Sequence, residues 1–445
     1  MREYNFDGLI GPTHNYSGLS YGNVASASHR HQVAFPKAAA LQGLTKMKTL
    51  AGLGIGQAVL PPLKRPDFEF LRSLGFCGSN AQILEKASAA NPVLLATCFS
   101  ASSMWTANAA TVAPSRDTAD GRLQIVVANL SSTLHRSIEH RSTFGNLKQI
   151  FADEACFVVS PALPSQPGLA DEGAANHTRL SAFDYQVDQK GLALFTYGVD
   201  SLARESIAPK KFPARQTKLA SESIARQLQL DEEFCLYLQQ SPAAIDAGVF
   251  HNDVISVGHQ NVLLCHEDAF VDQATRLEEV QRVYQAAYDH ELYVVEFSNG
   301  EISMADAVAS YLFNSQLVTR PEGAMTLVCP TECETNAAAK RCTDRLLAED
   351  NPVDQVLFLD LRQSMNNGGG PACLRLRIAL TPEEENEINP GVLFTDRLHS
   401  KLVAWVERHY RDELRPDDLR DYRLVEEVNE AFEELSVILN MDRCF

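Results

Sequence analysis

Ser364-Met-Asn-Asn-Gly-Gly-Gly-Pro-Ala-Cys-Leu-Arg-Leu-Arg377 hands the chain from three glycines and a proline to an alternating, strand-like run, with Cys373 at the join. Glycines at such a join let backbone and substrate approach closely, and the turn can hold a thiol at the mouth of a cleft. Cys373 is therefore the first candidate nucleophile. The plain alternative is a small buried hydrophobe at the start of a strand.

Two further segments bear on that choice: Asp171-Glu-Gly-Ala-Ala-Asn-His177 and Gly248-Val-Phe-His-Asn-Asp-Val254. The second interrupts an apolar run that resumes at Val254, which predicts a strand over Val249 to Val257 with His251 and Asp253 on one face. Two titratable side chains on such a face are expensive to bury without purpose. A cysteine, a histidine and an acidic residue are the parts of thiol covalent catalysis: nucleophile, proton carrier and orienting group. A free thiol, with a pKa near ~8.5, needs a cationic neighbour to ionise at neutral pH, and His251 or a cationic substrate could supply it. Whether Glu172, Asp171 or Asp253 contacts His251 stays open.

Composition sets the surroundings. The 445 residues, 45% hydrophobic, can bury a large core, and a net charge of -18 argues against a nucleic-acid or anionic-membrane surface. The opening Met1-Arg-Glu-Tyr-Asn-Phe-Asp-Gly8 has no apolar signal-peptide region, and no run approaches the ~20 apolar residues of a membrane helix. A cytoplasmic protein is expected, its ten cysteines reduced. Cys329, Cys333 and Cys342 lack a second close ligand pair for zinc, HExxH is absent, and Gly368 to Gly370 lack the Lys-Ser/Thr of a phosphate loop. The expectation is chemistry without metal or cofactor.

Short strand-like runs alternate with amphipathic helices throughout, giving a mixed α/β class with no linker marking a domain boundary. Strands are expected over 4–10, 123–130, 157–162, 192–197, 249–257, 262–265, 292–297, 325–329, 356–361 and 374–380. Helices are expected over 37–53, 216–228, 276–290, 336–349 and 394–410. In a last helix Leu424, Val428, Phe432, Leu435 and Leu439 form one apolar face, opposite a solvated stripe of Glu426, Glu427, Glu430 and Glu434. No strong linear repeat is visible.

Long motifs in a fixed order carry a resemblance. They are Asn5-Phe-Asp-Gly-Leu-Ile-Gly11, Asn15-Tyr-Ser-Gly-Leu-Ser20, Ser103-Met-Trp-Thr-Ala-Asn-Ala-Ala-Thr111, Gly173-Ala-Ala-Asn-His177, Pro213-Ala-Arg-Gln-Thr217, Val249-Phe-His-Asn-Asp-Val254, Tyr311-Leu-Phe-Asn-Ser-Gln316 and Asn367 to Arg377. Over nearly its whole length the chain resembles the N-succinylarginine dihydrolases, of the guanidine-modifying, pentein-fold superfamily. The resemblance implies a single α/β propeller over 1–445, with five ββαβ-type units around a central active-site channel, and a homodimer.

It also implies Cys373 as nucleophile, His251 as general acid and base, and Glu172 as the acidic third member. Substrate contacts would come from the loop Ser17-Gly18-Leu19-Ser20-Tyr21-Gly22-Asn23-Val24-Ala25-Ser26 and from Asn108, His135, Arg136, Arg215, Asp253 and Asn367. Asp253 suits the guanidinium, and Arg136 and Arg215 suit the carboxylates of a succinylated amino acid. Read singly, Arg136 is also an ordinary surface arginine, Arg215 a residue at a helix start, and Asn367 a turn former. The implied reaction converts N2-succinyl-L-arginine and two waters to N2-succinyl-L-ornithine, two ammonia and carbon dioxide. A deiminase stopping at the ureido product and a non-catalytic binding propeller are the alternatives.

Overall fold

The computed structural model describes residues 1–182 and 189–445. Its strands, in chain order, are β1 (Arg2–Gly8), β2 (Gly56–Leu60), β3 (Ala110–Ala113), β4 (Leu123–Val127) and β5 (Phe157–Ser160). There follow β6 (His177–Leu180), β7 (Leu192–Tyr197), β8 (Cys235–Gln239), β9 (Ser256–His259) and β10 (Val262–His266). The last are β11 (Tyr293–Phe297), β12 (Gln316–Thr319), β13 (Met325–Pro330), β14 (Val353–Leu359) and β15 (Arg375–Leu380).

These strands form five three-stranded sheets built on one rule: the first strand is antiparallel to the second, and the second is parallel to the third. Four sheets are consecutive, β3-β4-β5, β6-β7-β8, β9-β10-β11 and β12-β13-β14. The fifth, β15-β1-β2, joins the C-terminal strand to the first two and closes the ring. A parallel pair needs a crossover, and each has a helix: Pro36–Gly52, His140–Ile150, Lys218–Gln227, Gln273–Tyr288 and Ala337–Ala348. The fold is the α/β propeller that the resemblance implies.

The first strand of each sheet lines the channel. Inner strands β15 and β3, β6 and β9, and β9 and β12 lie side by side, and Arg377 of β15 donates to the carbonyls of Gly258 (3.3 Å) and Leu317 (2.8 Å). The strands that the sequence conceals are short. β3, β6 and β12 are the tetrapeptides Ala-Thr-Val-Ala, His-Thr-Arg-Leu and Gln-Leu-Val-Thr, and β2 and β8 have five residues each, too few to show a clear period. Strand β14 begins three residues before its expected start because its outer residues Asp354 and Gln355 are exposed.

The expected strand over Val249 to Val257 is a correction. Helix Pro242–Ala247 is capped by Gly248 in the left-handed conformation (φ 111°), Asn252–Val254 forms a 3-10 turn, and only then does β9 begin. The acidic stripe of the last helix, Tyr422–Ile438, also differs from expectation. Glu427 pairs with Arg411, and Glu434 with Arg408 and His409, so half the stripe fastens this helix to the segment before it. Among the described residues no helix is long and apolar enough to cross a membrane.

A buried ion pair ties helix Pro36–Gly52 to β1: Lys46 Nζ lies 2.5 Å from Asp7 Oδ2, both side chains almost wholly out of solvent. Burial pushes the Asp7 carboxyl up and the Lys46 amine down, and their mutual attraction opposes both shifts. Lys46→Met removes the hydrogen-bonded cation of the buried Asp7 carboxylate, leaving it only the weaker pull of Arg375, and should destabilise the fold by about 3 kcal/mol in urea unfolding. Adding Asp7→Leu should recover most of the loss; a double variant as weak as the single one contradicts this account.

Candidate active site

Each inner strand is preceded by a tight turn, and the candidate residues sit on those turns. Asn108 ends the 3-10 turn Thr106–Asn108 before β3, and Glu172 precedes Gly173–Asn176 before β6. His251 and Asp253 belong to the turn before β9, Asn314 ends Leu312–Asn314 before β12, and Cys373 lies two residues ahead of β15. Five-fold repetition therefore gathers five distant segments at one end of the channel. His251 and Asp253 meet there through a turn, not through strand periodicity.

Cys373 is 3% exposed, inside the site rather than at the mouth of a cleft. Its Sγ accepts from Asn314 Nδ2 (3.2 Å) and lies 3.5 Å from Asp253 Oδ2, while its backbone N–H donates to Asn314 Oδ1 (3.4 Å). Burial first, then the Asp253 carboxylate, push the thiol well above its ordinary value. The Asp253 carboxyl is itself raised by burial, against the opposing pull of His251 and of hydrogen bonds from Cys373 and Asn314. A guanidinium placed here would favour the charged form of both groups.

His251 Nε2 lies 2.9 Å from Glu172 Oε2, and its Nδ1 is buried without a protein hydrogen-bond partner. Of the three acids left open by the sequence, Glu172 is thus the one on the imidazole. Burial alone would raise its carboxyl, but the hydrogen bond and charge of His251, with Arg215 and Arg136, hold it at about 2. Ser132 Oγ donates to its other oxygen, and its backbone N–H donates to Gln216 Oε1 (2.8 Å). Asp171 turns away to accept from the Gly173 N–H and Gln216 Nε2, and burial lifts it to about 6.

Arg136 and Arg215 are both buried, not surface arginines. Arg136 donates to Asn108 Oδ1 (2.7 Å), lies 3.6 Å from Glu139 and stands over the Trp105 ring; Asn108 in turn donates to the Glu172 carbonyl (2.6 Å). Arg136 thus braces Asn108. Arg215 donates to the Tyr21 carbonyl (2.8 Å) and stands 5.0 Å over the Phe250 ring. His135 Nε2 is 3.4 Å from Ser20 Oγ, and burial, then Arg136 and Arg215, lower its pKa to about 3.

The Ser17–Ser26 loop spans these groups. Asn23 Nδ2 donates to the Gly368 carbonyl (2.9 Å), so the loop is tied to the turn before Cys373 as well as to His135 and Arg215. Gly368 has φ 98°, and a Cβ there would run into the Asn23 amide. Ser17, Gly18, Leu19, Ser20 and Ser26 line a narrow cleft with Trp105, His135 and Asn367. Not every loop residue faces inward: Tyr21 is 64% exposed and packs on Phe212, and Val24 is 51% exposed. Asn367 donates to the Asn15 carbonyl (3.1 Å), which ties the turn before Cys373 to the start of the loop.

Asn314 and Tyr311 join the site without any chemical signature in the sequence. Asn314 touches both the thiol and the Asp253 carbonyl (3.1 Å), and the Tyr311 hydroxyl donates to the Gly368 carbonyl (3.1 Å). The motif Tyr311 to Gln316 was their one signal.

The family model for succinylarginine dihydrolase matches residues 1–445. Curated N-succinylarginine dihydrolases of Burkholderia thailandensis and Marinobacter nauticus are each 52% identical, over 99% of this chain and 98% and 97% of theirs. That of Shewanella oneidensis is 50% identical over 99% of this chain and 97% of its own. Among solved structures, the product-bound N-terminal domain of ArgZ, an arginine dihydrolase of the cyanobacterial ornithine-ammonia cycle, superposes with a TM-score of 0.51. Its sequence is 16% identical, and the match covers 85% of this chain and 98% of that one. Unliganded AgrE gives 0.51 at 17% identity, covering 86% of this chain and 41% of AgrE. By the extent of these matches and the arrangement of its turns, this chain belongs to the succinylarginine dihydrolase family.

Proposed function

We propose that this enzyme hydrolyses N2-succinyl-L-arginine to N2-succinyl-L-ornithine, two ammonia and carbon dioxide by cysteine covalent catalysis. The observation that carries the reading is the convergence of Cys373, Asp253 and the His251–Glu172 pair on neighbouring turns in a chain of this family.

In this reading Asp253 receives the guanidinium beside Cys373. The arriving cation offsets the Asp253 charge that disfavours the thiolate, so binding itself activates the nucleophile. The thiol proton passes to His251, sulfur bonds to the guanidinium carbon, and His251 returns the proton to the departing nitrogen, which leaves as ammonia. Nδ1 is the ring nitrogen free for this transfer, because Glu172 holds Nε2. Water then adds to the thiouronium carbon, His251 takes its proton, and the carbon–sulfur bond breaks to give the ureido compound. A second attack releases the second ammonia, and hydrolysis leaves a carbamate that loses carbon dioxide. Residues 1–445 act as one propeller, in the cytoplasm and as a homodimer; the last two features rest on the resemblance.

The test is the count of ammonia per succinylarginine consumed. Two are expected, with succinylornithine as the amino-acid product. One ammonia with accumulating succinylcitrulline would instead establish a deiminase.

A further inference from the structure

The channel continues behind the catalytic turns as a cavity of about 100 Å³. Its near end is formed by Ala107, Asp253 and Ala372, on the same turns as the catalytic groups, and its far end by Pro114 and Ala379, where β3 and β15 leave the channel. Arg375, Arg377 and Ala379 line it at every second position of β15, as strand periodicity requires of one face.

Four polar atoms of its lining residues are buried without a protein hydrogen-bond partner: Asn252 Oδ1, Asp253 Oδ1, Ser256 Oγ and His177 Nε2. Buried polar groups require partners. A polar cavity of this size has room for a small cluster of water molecules to satisfy them. Asp253 belongs to both compartments, because its Oδ2 lies 3.5 Å from Cys373 Sγ while its Oδ1 is one of the four unpartnered atoms.

The dihydrolase reaction consumes two waters per turnover, at a carbon held beneath a loop that is tied to Gly368 and Arg215. A substrate filling the front of the site leaves the rear as the way in. We propose that this rear cavity is the water reservoir of the reaction, delivering each hydrolytic water past Asp253 to the carbon bound to Cys373. In each delivery a carbon–oxygen bond forms, the carbon–sulfur bond breaks with its electron pair staying on sulfur, and the proton of the water passes to His251. The inference rests on the dihydrolase reading.

Ala379→Met fills the far half of the cavity without touching a catalytic group. Starved of water, the variant should lose at least tenfold in kcat, with KM for succinylarginine falling in proportion and kcat/KM within twofold of the original, because only steps after the covalent adduct are slowed. Acid-quenched mass spectrometry during turnover should then show a larger fraction of Cys373 carrying the covalent adduct. A kcat within twofold, or a fall in kcat without added adduct, overturns the proposal. A high-resolution crystal structure of the unaltered enzyme decides independently of the variant's folding: ordered water on Asn252 Oδ1, Asp253 Oδ1 and Ser256 Oγ is expected, and a dry cavity refutes it. Failure of the dihydrolase reading would be distinct, since the unaltered enzyme would then release no second ammonia.

Discussion

Cys373→Ser should abolish turnover, with kcat lower by at least ~10⁴-fold, while the variant still binds succinylarginine with a Kd close to the original KM. A serine hydroxyl fits the Asn314 and Asp253 contacts, but it is a poorer nucleophile and ionises less readily than a thiol already raised by burial. Single-turnover kinetics and calorimetry separate the two quantities. The same electrostatics set the pH response of the free enzyme. Since burial and Asp253 both favour the neutral thiol, alkylation of Cys373 should be slow at pH 7 and accelerate only at alkaline pH. Asp253→Asn removes one of these causes and should move the acceleration to lower pH. Rapid alkylation of the unaltered enzyme at pH 7 would show that the thiolate forms before substrate arrives, against the activation proposed here.

Arg215→Lys should raise KM for succinylarginine by about 100-fold, equivalent to about 3 kcal/mol for a buried pair that has lost its planar fork. Lysine keeps the charge but neither the two-pronged geometry nor the stacking on Phe250. Charge reversal is the poorer experiment, because a glutamate here would be a second buried carboxylate close to Glu172. Arg136 is expected to behave differently. Its contacts to Asn108 and Glu139 make it a brace for the backbone around Glu172, so its loss should lower kcat as well as raise KM. If Arg215→Lys binds succinylarginine normally, the carboxylate contact lies elsewhere in the site.

The site was more legible in the sequence than the repeat that builds it. Cys373 could be singled out only as a candidate, because a cysteine where three glycines and a proline meet an alternating run is also an ordinary buried hydrophobe, and His251 and Asp253 because titratable groups in apolar company need a reason. The reason inferred for their proximity was nevertheless mistaken. Gly248 breaks the backbone before His251, and a 3-10 turn, not a strand, brings the two side chains together. Asn314 stood in a recognised motif but lacked any chemical signature, since an amide that positions a thiol looks like any other asparagine.

Four of the five crossover helices and most outer strands announce themselves by periodicity, because each buries one face against an apolar neighbour; helix His140–Ile150 and strands β2 and β8 do not. Among the inner strands β15 is legible as an alternating run, whereas β3, β6 and β12 are four-residue segments too short to show a period, and the five-fold rule vanishes from the sequence with them.

The amino-acid order by itself determined the mixed α/β class, a candidate thiol and the group of acids from which the partner of His251 would come. Only the folded chain decided that Glu172 rather than Asp171 holds His251, that Asp253 faces the thiol, and that β15 closes the ring on β1. Local composition fixes what a segment can do. Which of several equivalent carboxylates does it depends on how turns from separate sheets meet, and no single segment carries that information.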